Sequence, residues 1–201
     1  MTDSAVPRRA SAFRARQTLG LGGLLHRMAQ RLSNRQIADA NDVLSLMATD
    51  ISACDSGAEL SSGLKLFHDA DWHRPGVGKT ANSVRIDSAA FDGSYVSLAI
   101  DLPADQAARI RVGTELVVTF SAHSDRALPV FLRAHFRNDE GSEVLHDLIV
   151  IEAGARSVRF NLDGLRIPID KPTTAWVDLI LSDPTGTEVS IDGIRLDVRR
   201  Q

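Results

Sequence analysis

Hydrophobic and polar residues alternate with a period of two from Leu60 onward, which is typical of strands that bury one face. Turn residues such as Asp92-Gly93 separate most of these segments, and residues 102–109 predict one short helix. Short strands without long helices between them favour an antiparallel β-sandwich or jelly roll over residues 60–201. The predicted strands are Leu64–His68, Ser83–Asp87, Ser94–Asp101, Glu115–Ala122, Pro129–Arg137, Glu143–Ile151, Ser157–Leu162, Ala175–Leu181 and Glu188–Val198.

The pattern before Leu60 has a helical period instead. Apolar residues from Leu21 to Leu32 fall on one side of a predicted helix, and a second stripe runs from Ile37 to Ile51 after a capping box at Ser33. We therefore expect a disordered basic tail over 1–18, a helical arm over 19–52 and the β-sandwich after it. The apolar stripes can pack on the sandwich or on each other, form a homo-oligomer, or lie on a membrane surface.

Charge is divided unevenly between the arm and the body. Residues 1–36 carry seven arginines and one acid, a net +6, whereas residues 37–201 carry 16 basic and 25 acidic residues, a net −9. A basic arm of this kind is typical of segments that bind nucleic acid, anionic lipid or an acidic protein partner. The chain has no specific nucleic-acid motif, so the arm, mainly residues 8–35, is expected to contact a protein partner or an anionic membrane surface.

Two further features bear on the compartment. The apolar run Thr18–Leu25 is short and rich in glycine, unlike a secretory signal, and no run approaches the roughly 20 residues that span a bilayer. Cys54 is the only cysteine, so no intramolecular disulfide is expected. We expect a cytoplasmic protein that is peripheral to the membrane if the arm binds lipid.

The string Gly76–Thr80 ends like a phosphate-binding loop. It lacks the first glycine of that motif, since His73 stands there, and strand alternation follows it instead of a helix. The sequence therefore argues against a nucleotide site.

Asp69 and Asp71 form a group of potential metal ligands with the neighbouring His68 and His73. Carboxylates that converge in a loop suit calcium, and Asp192 could complete such a site if the ends of the domain lie together. The alternative is a turn capped by aspartate. No nucleophile motif is present, and the thiolate of Cys54 would be disfavoured beside Asp55, so no catalysis is expected.

The outward faces of the predicted strands supply the candidate binding residues. Since alternate residues enter the core, the remaining side chains share the opposite face. If these faces join on one sheet, their aromatic rings, arginines and amides suit sugars, which present both C–H faces and hydroxyls; the alternative is an ordinary solvated face. The candidate residues are Tyr95, Arg133, His135, Arg137, Arg159, Trp176 and Asp178.

Two resemblances follow from particular blocks of sequence. Ala175–Leu181 followed by Val189–Leu196 resembles the last two strands of jelly-roll carbohydrate-binding modules. Leu66–Asp69, Phe91–Tyr95 and Ala175–Leu179 resemble an uncharacterised bacterial family of similar length without an assigned function. The first resemblance implies a jelly roll that binds glycan.

Together these observations predict a non-catalytic binding module for carbohydrate or polysaccharide, attached through its basic arm. The alternative is a structural or assembly subunit that oligomerises through its N-terminal helices. No cofactor is expected beyond the calcium considered above.

Overall fold

The computed structural model of the chain describes residues 50–80, 83–164 and 172–200. The chain divides into two units, Met1–Arg35 and Gln36–Gln201, and every described residue belongs to the second. The predicted tail 1–18 and almost all of the predicted helical arm lie outside the described residues. Ile51, at the end of the second helical stripe, forms a β-bridge with Val77 instead. No helix in the described ranges is long and apolar enough to cross a membrane.

The described residues form a mainly β fold, a curled antiparallel sheet of nine strands with a sandwich-like arrangement. A short helix, α1 (Ala104–Ala107), lies where the sequence predicts one, and a 3₁₀ turn covers Leu162–Gly164. The strands are β1 (Ala58–Ser61), β2 (Leu64–His68), β3 (Gly76–Thr80), β4 (Ser83–Asp87), β5 (Tyr95–Asp101), β6 (Thr114–Asn138), β7 (Gly141–Asn161), β8 (Thr174–Ser182) and β9 (Glu188–Arg200). Their order is β1-β2-β5-β8-β6-β9-β4-β3, with β7 paired to β6.

The long hairpin of β6 and β7 joins the two parts of the sheet. The first half of β6 pairs with β9, and its second half pairs with β8. Between them the register shifts from His123 to Leu128, and Gly154 of β7 takes a φ of 102° opposite Ala122. Such an irregularity bends a strand without ending it. The prediction of separate strands within β6 and within β7 was therefore wrong.

The core contains the side chains that the alternation assigns to it. On β6 these include Leu116, Val118, Leu132 and Phe136, all of them buried. Equivalent residues of β5, β8 and β9 belong to the same hydrophobic cluster. Burying one such side chain stabilises the fold by about 1.5–3 kcal/mol relative to leaving it exposed.

Two strands were missed because their sequences do not alternate clearly. β1 is short, and β3 is the glycine-containing string Gly76–Thr80, which pairs antiparallel with β4. Gly76–Thr80 is thus a strand followed by a strand, without the helix N-terminus that a phosphate-binding loop places after its glycines. The sandwich also begins earlier than predicted, since β1 starts at Ala58.

Candidate binding face

Strands β2, β5 and β8, the second half of β6 and the first half of β7 lie side by side in that order. The pairing registers place their outward-pointing residues in rows that run across the strands. The surface formed by these rows is called the outer face. One row contains Asp101, Trp176, His135 and Val144; the next contains Lys65, Ala99, Asp178, Arg133 and His146; the third contains Phe67, Ser97, Ile180, Phe131 and Leu148.

Asp178 is the centre of a hydrogen-bonded cluster on the outer face. Its Oδ2 lies 2.8 Å from His135 Nε2 and 3.3 Å from Arg133 Nη2. The side chain of Asp178 is 10% exposed, whereas that of Arg133 is 45% exposed. A carboxylate buried to this extent needs partners, and Asp178 obtains them from the neighbouring strand. The guanidinium of Arg133 is held in place while much of it still faces solvent.

Trp176 completes this cluster by stacking on His135. The ring centroids are 4.4 Å apart and the planes differ by 5°. The two residues are directly opposite in the pairing of β6 with β8, so the register of the strands creates the stack. Flat rings beside hydrogen-bond donors and acceptors form the mixed apolar and polar surface that small polar ligands use.

Exposed apolar side chains continue the outer face beyond this cluster. Phe67 is 38% exposed and Phe131 is 39% exposed, and Ile180 lies between them in the same row. Phe67 was not among the predicted binding residues, although alternation with the buried Leu64, Leu66 and His68 places it outward. The outer face therefore has two exposed phenyl rings beside its charged cluster.

The remaining candidate residues are not all brought together. Tyr95 lies on the same face, half-buried at the end of β5 and opposite Ser182. Arg137 is exposed opposite Thr174, beside a cleft that Asn138, Asp139 and Thr173 also line.

Arg159 does not belong to the outer face. It lies in the second half of β7, where it pairs with Val117, and its Nη1 is 3.3 Å from Glu115 Oε1. The sequence correctly assigned Arg159 to the outside of its strand. However, the second half of β7 pairs with the first half of β6, which pairs with β9 and not with β8.

Asp69 serves the backbone rather than an open metal site. Its Oδ1 accepts hydrogen bonds from the backbone N–H groups of Ser94 at 2.8 Å and Tyr95 at 3.1 Å, and its Oδ2 accepts one from the Ser94 hydroxyl. Partial desolvation alone would raise the pKa of Asp69, but these hydrogen bonds outweigh it and lower the pKa. The alternative of an aspartate-capped turn describes this residue.

The other proposed calcium ligands lie elsewhere. Asp71 is exposed in the bend after β2, and Asp192 lies in β9, where it pairs with Ser83 and Ser121. Within the described ranges, no three His, Cys, Asp or Glu side chains are grouped so that they could hold a metal ion.

His68 is buried with both ring nitrogens engaged. Nε2 lies 2.9 Å from the Cys54 carbonyl oxygen, and Nδ1 accepts a hydrogen bond from the Ala70 N–H at 3.1 Å. These partners require a neutral ring with its proton on Nε2. The neighbouring Cys54 is fully buried. Burial and the charge of Asp55 together raise the pKa of the Cys54 thiol. Neither group is exposed as a ligand or nucleophile.

Trp72 is a second exposed aromatic residue outside the predicted binding set. Its side chain is almost fully exposed in the loop after β2, where the backbone N–H of Trp72 donates a hydrogen bond to Asp92 Oδ2 at 3.1 Å. His73 Nδ1 also approaches that carboxylate, at 3.4 Å. No periodicity surrounds Trp72, so the sequence had no signal for its exposure.

The fold and this face define a class: a sandwich-like antiparallel β-domain with a mixed polar and aromatic outer surface. The chain belongs to a family described as a family of unknown function (DUF6478), whose model matches residues 43–201. The expected resemblance to a family without an assigned function is confirmed. No curated protein matches the chain.

Several solved structures are similar at low sequence identity. A Stig cyclase, Fisc from Fischerella sp. TAU, is 15% identical over 82% of this chain and 98% of that chain, with a TM-score of 0.48. The N-terminal cellulose-binding domain of Cellulomonas fimi β-1,4-glucanase C is 14% identical over 78% and 99%, with a TM-score of 0.45. A family 11 carbohydrate-binding module from Clostridium thermocellum is 14% identical over 75% and 96%, with a TM-score of 0.44. A shared function does not follow from such identities.

Proposed function

We propose that this protein is a non-catalytic binding module that holds a glycan on the outer face. The observation that carries the proposal is the cluster of Trp176, His135, Asp178 and Arg133, in which stacked rings and a held guanidinium share one surface. It adjoins the exposed ring of Phe131. The C–H faces of a sugar can pack on the aromatic rings, and its hydroxyls can form hydrogen bonds with the charged side chains.

The arrangement also favours binding over catalysis. Asp178 and His135 are hydrogen-bonded to each other, and Arg133 forms an ion pair with the same carboxylate. A general acid or base has to reach the reacting atom of its substrate, and a carboxylate that is 10% exposed beneath two partners is poorly placed to do so. These groups are better suited to orienting Arg133 toward a bound hydroxyl.

Retention on polysaccharides tests the proposal. Purified protein is run through native gels that contain one soluble polysaccharide each, chosen from β-glucans, xylan, mannan and polyuronates. Retardation by at least one polysaccharide is expected. Phe131→Ala and Arg133→Ala should weaken it at least several-fold, because each removes an exposed contact of the outer face.

Val112→Ala provides the matched control. Val112 is exposed between α1 and β6, away from the rows of the outer face, so its loss should leave retardation unchanged. No retardation by any polysaccharide, or equal retardation of the Phe131→Ala, Arg133→Ala and wild-type proteins, would contradict the proposal.

The basic segment 8–35 is part of the same proposal, as an attachment to an acidic partner or an anionic surface. Its support is the net charge of +6 over residues 1–36 against −9 over the rest. Co-sedimentation of the full chain with anionic vesicles should exceed that with neutral vesicles. Replacing Arg27 and Arg31 by Gln should reduce the difference, and equal sedimentation with both lipids would exclude the membrane surface.

The second candidate, an assembly subunit, is favoured by exposed aliphatic side chains on β7. Val144, Leu148 and Val150 all point away from the core. The predicted oligomerisation helices themselves lie outside the described residues. Light scattering on the full chain distinguishes an oligomer from a monomer.

A further inference from the structure

The first half of β7, Gly141–Ile151, is an open edge of the sheet. It pairs with β6 on one side, and no described strand pairs with its other side. An edge strand presents unpaired N–H and C=O groups that another chain can pair with. Three aliphatic side chains on it are exposed, namely Val144 at 43%, Leu148 at 53% and Val150 at 52%.

The two strands at the ends of the strand order, β3 and β1, are protected in ways that this segment is not. β3 is covered by residues before β1, since Ile51 and Val77 exchange backbone hydrogen bonds at 2.7 Å and Asp50 Oδ1 accepts one from the Lys79 N–H. β1 has only four residues and an irregular register. Bulges, short strands and covered edges are common protections against unwanted pairing.

The second half of β7 differs from the first in its side chains. It carries Arg156 and Arg159, and Gly154 introduces a bend. Charges and bends of this kind discourage a further strand. Gly141–Ile151 instead has an uninterrupted register with β6 and contains no lysine or arginine, and its charged residues are Glu143 and Asp147. Of the two halves of β7, the first is therefore the one better suited to pairing with a further strand.

We propose that a second copy of the chain occupies this edge, with the two Gly141–Ile151 segments paired antiparallel about a two-fold axis at His146. Centring the pair on His146 matches Gly141 to Ile151 and pairs each segment along its whole length. The dimer is isologous, since each copy contributes the same surface. The outer faces of the two copies then become one continuous surface.

The side chains favour this register over its neighbours. Val144 of each copy lies opposite Leu148 of the other, which gives two apolar cross-strand pairs, while Glu143 faces Ile149 and Asp147 faces Leu145. An axis at Asp147 would set Asp147 opposite itself, and an axis at Leu145 would set Glu143 opposite Asp147. Like charges directly opposite destabilise a pair, whereas apolar pairs stabilise it.

Cysteine cross-linking tests both the dimer and its register. Directly opposite residues in an antiparallel pair have Cα atoms about 4.5–5.5 Å apart, a separation that a disulfide can bridge. His146→Cys should therefore form a covalent dimer under mild oxidation of the full-length protein. The native Cys54 is fully buried and should not interfere.

Val150→Cys is the matched control, because this register places Val150 opposite Ser142 and far from its own counterpart. It should remain largely monomeric on a non-reducing gel. Failure of His146→Cys to cross-link, or more efficient cross-linking by Val150→Cys, would overturn the register.

Sedimentation velocity of the wild-type chain over a concentration series tests the assembly independently. A dimer is expected for wild type and for Val112→Lys, which introduces a lysine at an exposed site off the edge. Val144→Lys/Leu148→Lys should shift the protein to monomer. A wild-type monomer at all concentrations, or a dimer that survives the double substitution, would overturn the proposal. Circular dichroism of each variant shows that the fold is retained.

Discussion

Trp176 lies flat against His135, with ring centroids 4.4 Å apart and planes within 5° of parallel. The two residues belong to strands that meet only in the folded sheet, and Asp178 Oδ2 lies 2.8 Å from Nε2 of the same imidazole. The imidazole is thereby fixed both by ring contact and by a hydrogen bond. Side chains held in this way have less conformational entropy left to lose, so the proposed binding of a glycan here would cost less in ordering them.

Replacing Asp178 with Asn should reduce the free energy of unfolding by about 1–3 kcal/mol, since hydrogen bonds to a charged group are lost from a nearly buried position. Urea titration followed by tryptophan fluorescence measures the change. Asp101→Asn is the control, because Asp101 is exposed on the same face and its change should stay within about 0.5 kcal/mol. Equal effects of the two substitutions would show that the Asp178 cluster does not stabilise the fold.

Gly93→Ala should destabilise the domain strongly. A methyl group at Gly93 would lie 2.5 Å from Asp69 Oδ1 and 2.8 Å from the Ala70 nitrogen, so the turn has to move. We expect a loss of about 3 kcal/mol, combining overpacking with weakened hydrogen bonds to Asp69.

Gly186→Ala separates this steric effect from backbone strain. Gly186 has a φ of 76° with no atom within 4 Å of the added methyl group, so only the left-handed conformation is penalised, by about 1 kcal/mol. Thermal unfolding of both variants provides the comparison. A loss at Gly186 as large as that at Gly93 would rule out the close contact as the cause.

Asp69 should make the stability depend on acidic pH. Its native pKa is lowered, so the native state binds fewer protons than an unfolded chain with a pKa of about 3.9. Its stabilising contribution is therefore complete above the unfolded value and is lost as the pH falls through the native pKa.

The pKa of Asp92 is lowered too, so Asp92 also makes the stability fall at acidic pH. Because wild type and Asp69→Asn both retain Asp92, the difference in their unfolding free energies contains only the contribution of Asp69. The difference should be constant between pH 5 and 7 and shrink below about pH 4. Urea titrations at each pH measure it, and a difference that grows toward low pH would contradict the assignment.

The thiol of Cys54 should react only when the domain opens. It is fully buried, and its raised pKa keeps the thiolate population small. Labelling with iodoacetamide at pH 8 should be far slower than labelling of an exposed thiol introduced as Val112→Cys in a Cys54→Ser background. Labelling of native Cys54 at a comparable rate would show that this region opens readily.

Much of the burial pattern followed from the amino-acid sequence. The alternation of Val96, Leu98 and Ile100, and that of Leu132, Ala134 and Phe136, identified core positions that the structure confirms. The outward position of Arg133 and Trp176 followed from the same rule. β3 was not predicted, because glycine and lysine interrupt its alternation. The continuity of β6 was not predicted either, because a bulge resembles a turn in sequence.

The sequence by itself determined which side of each strand faces the core, because alternation is a local property of neighbouring residues. Only the tertiary structure decided which outward sides share a surface. His135 and Asp178 are 43 positions apart, and their contact depends on the register between β6 and β8. Arg159, equally outward in sequence, was separated from them by the bend of the β6–β7 hairpin, since no local pattern records where a distant strand will pair.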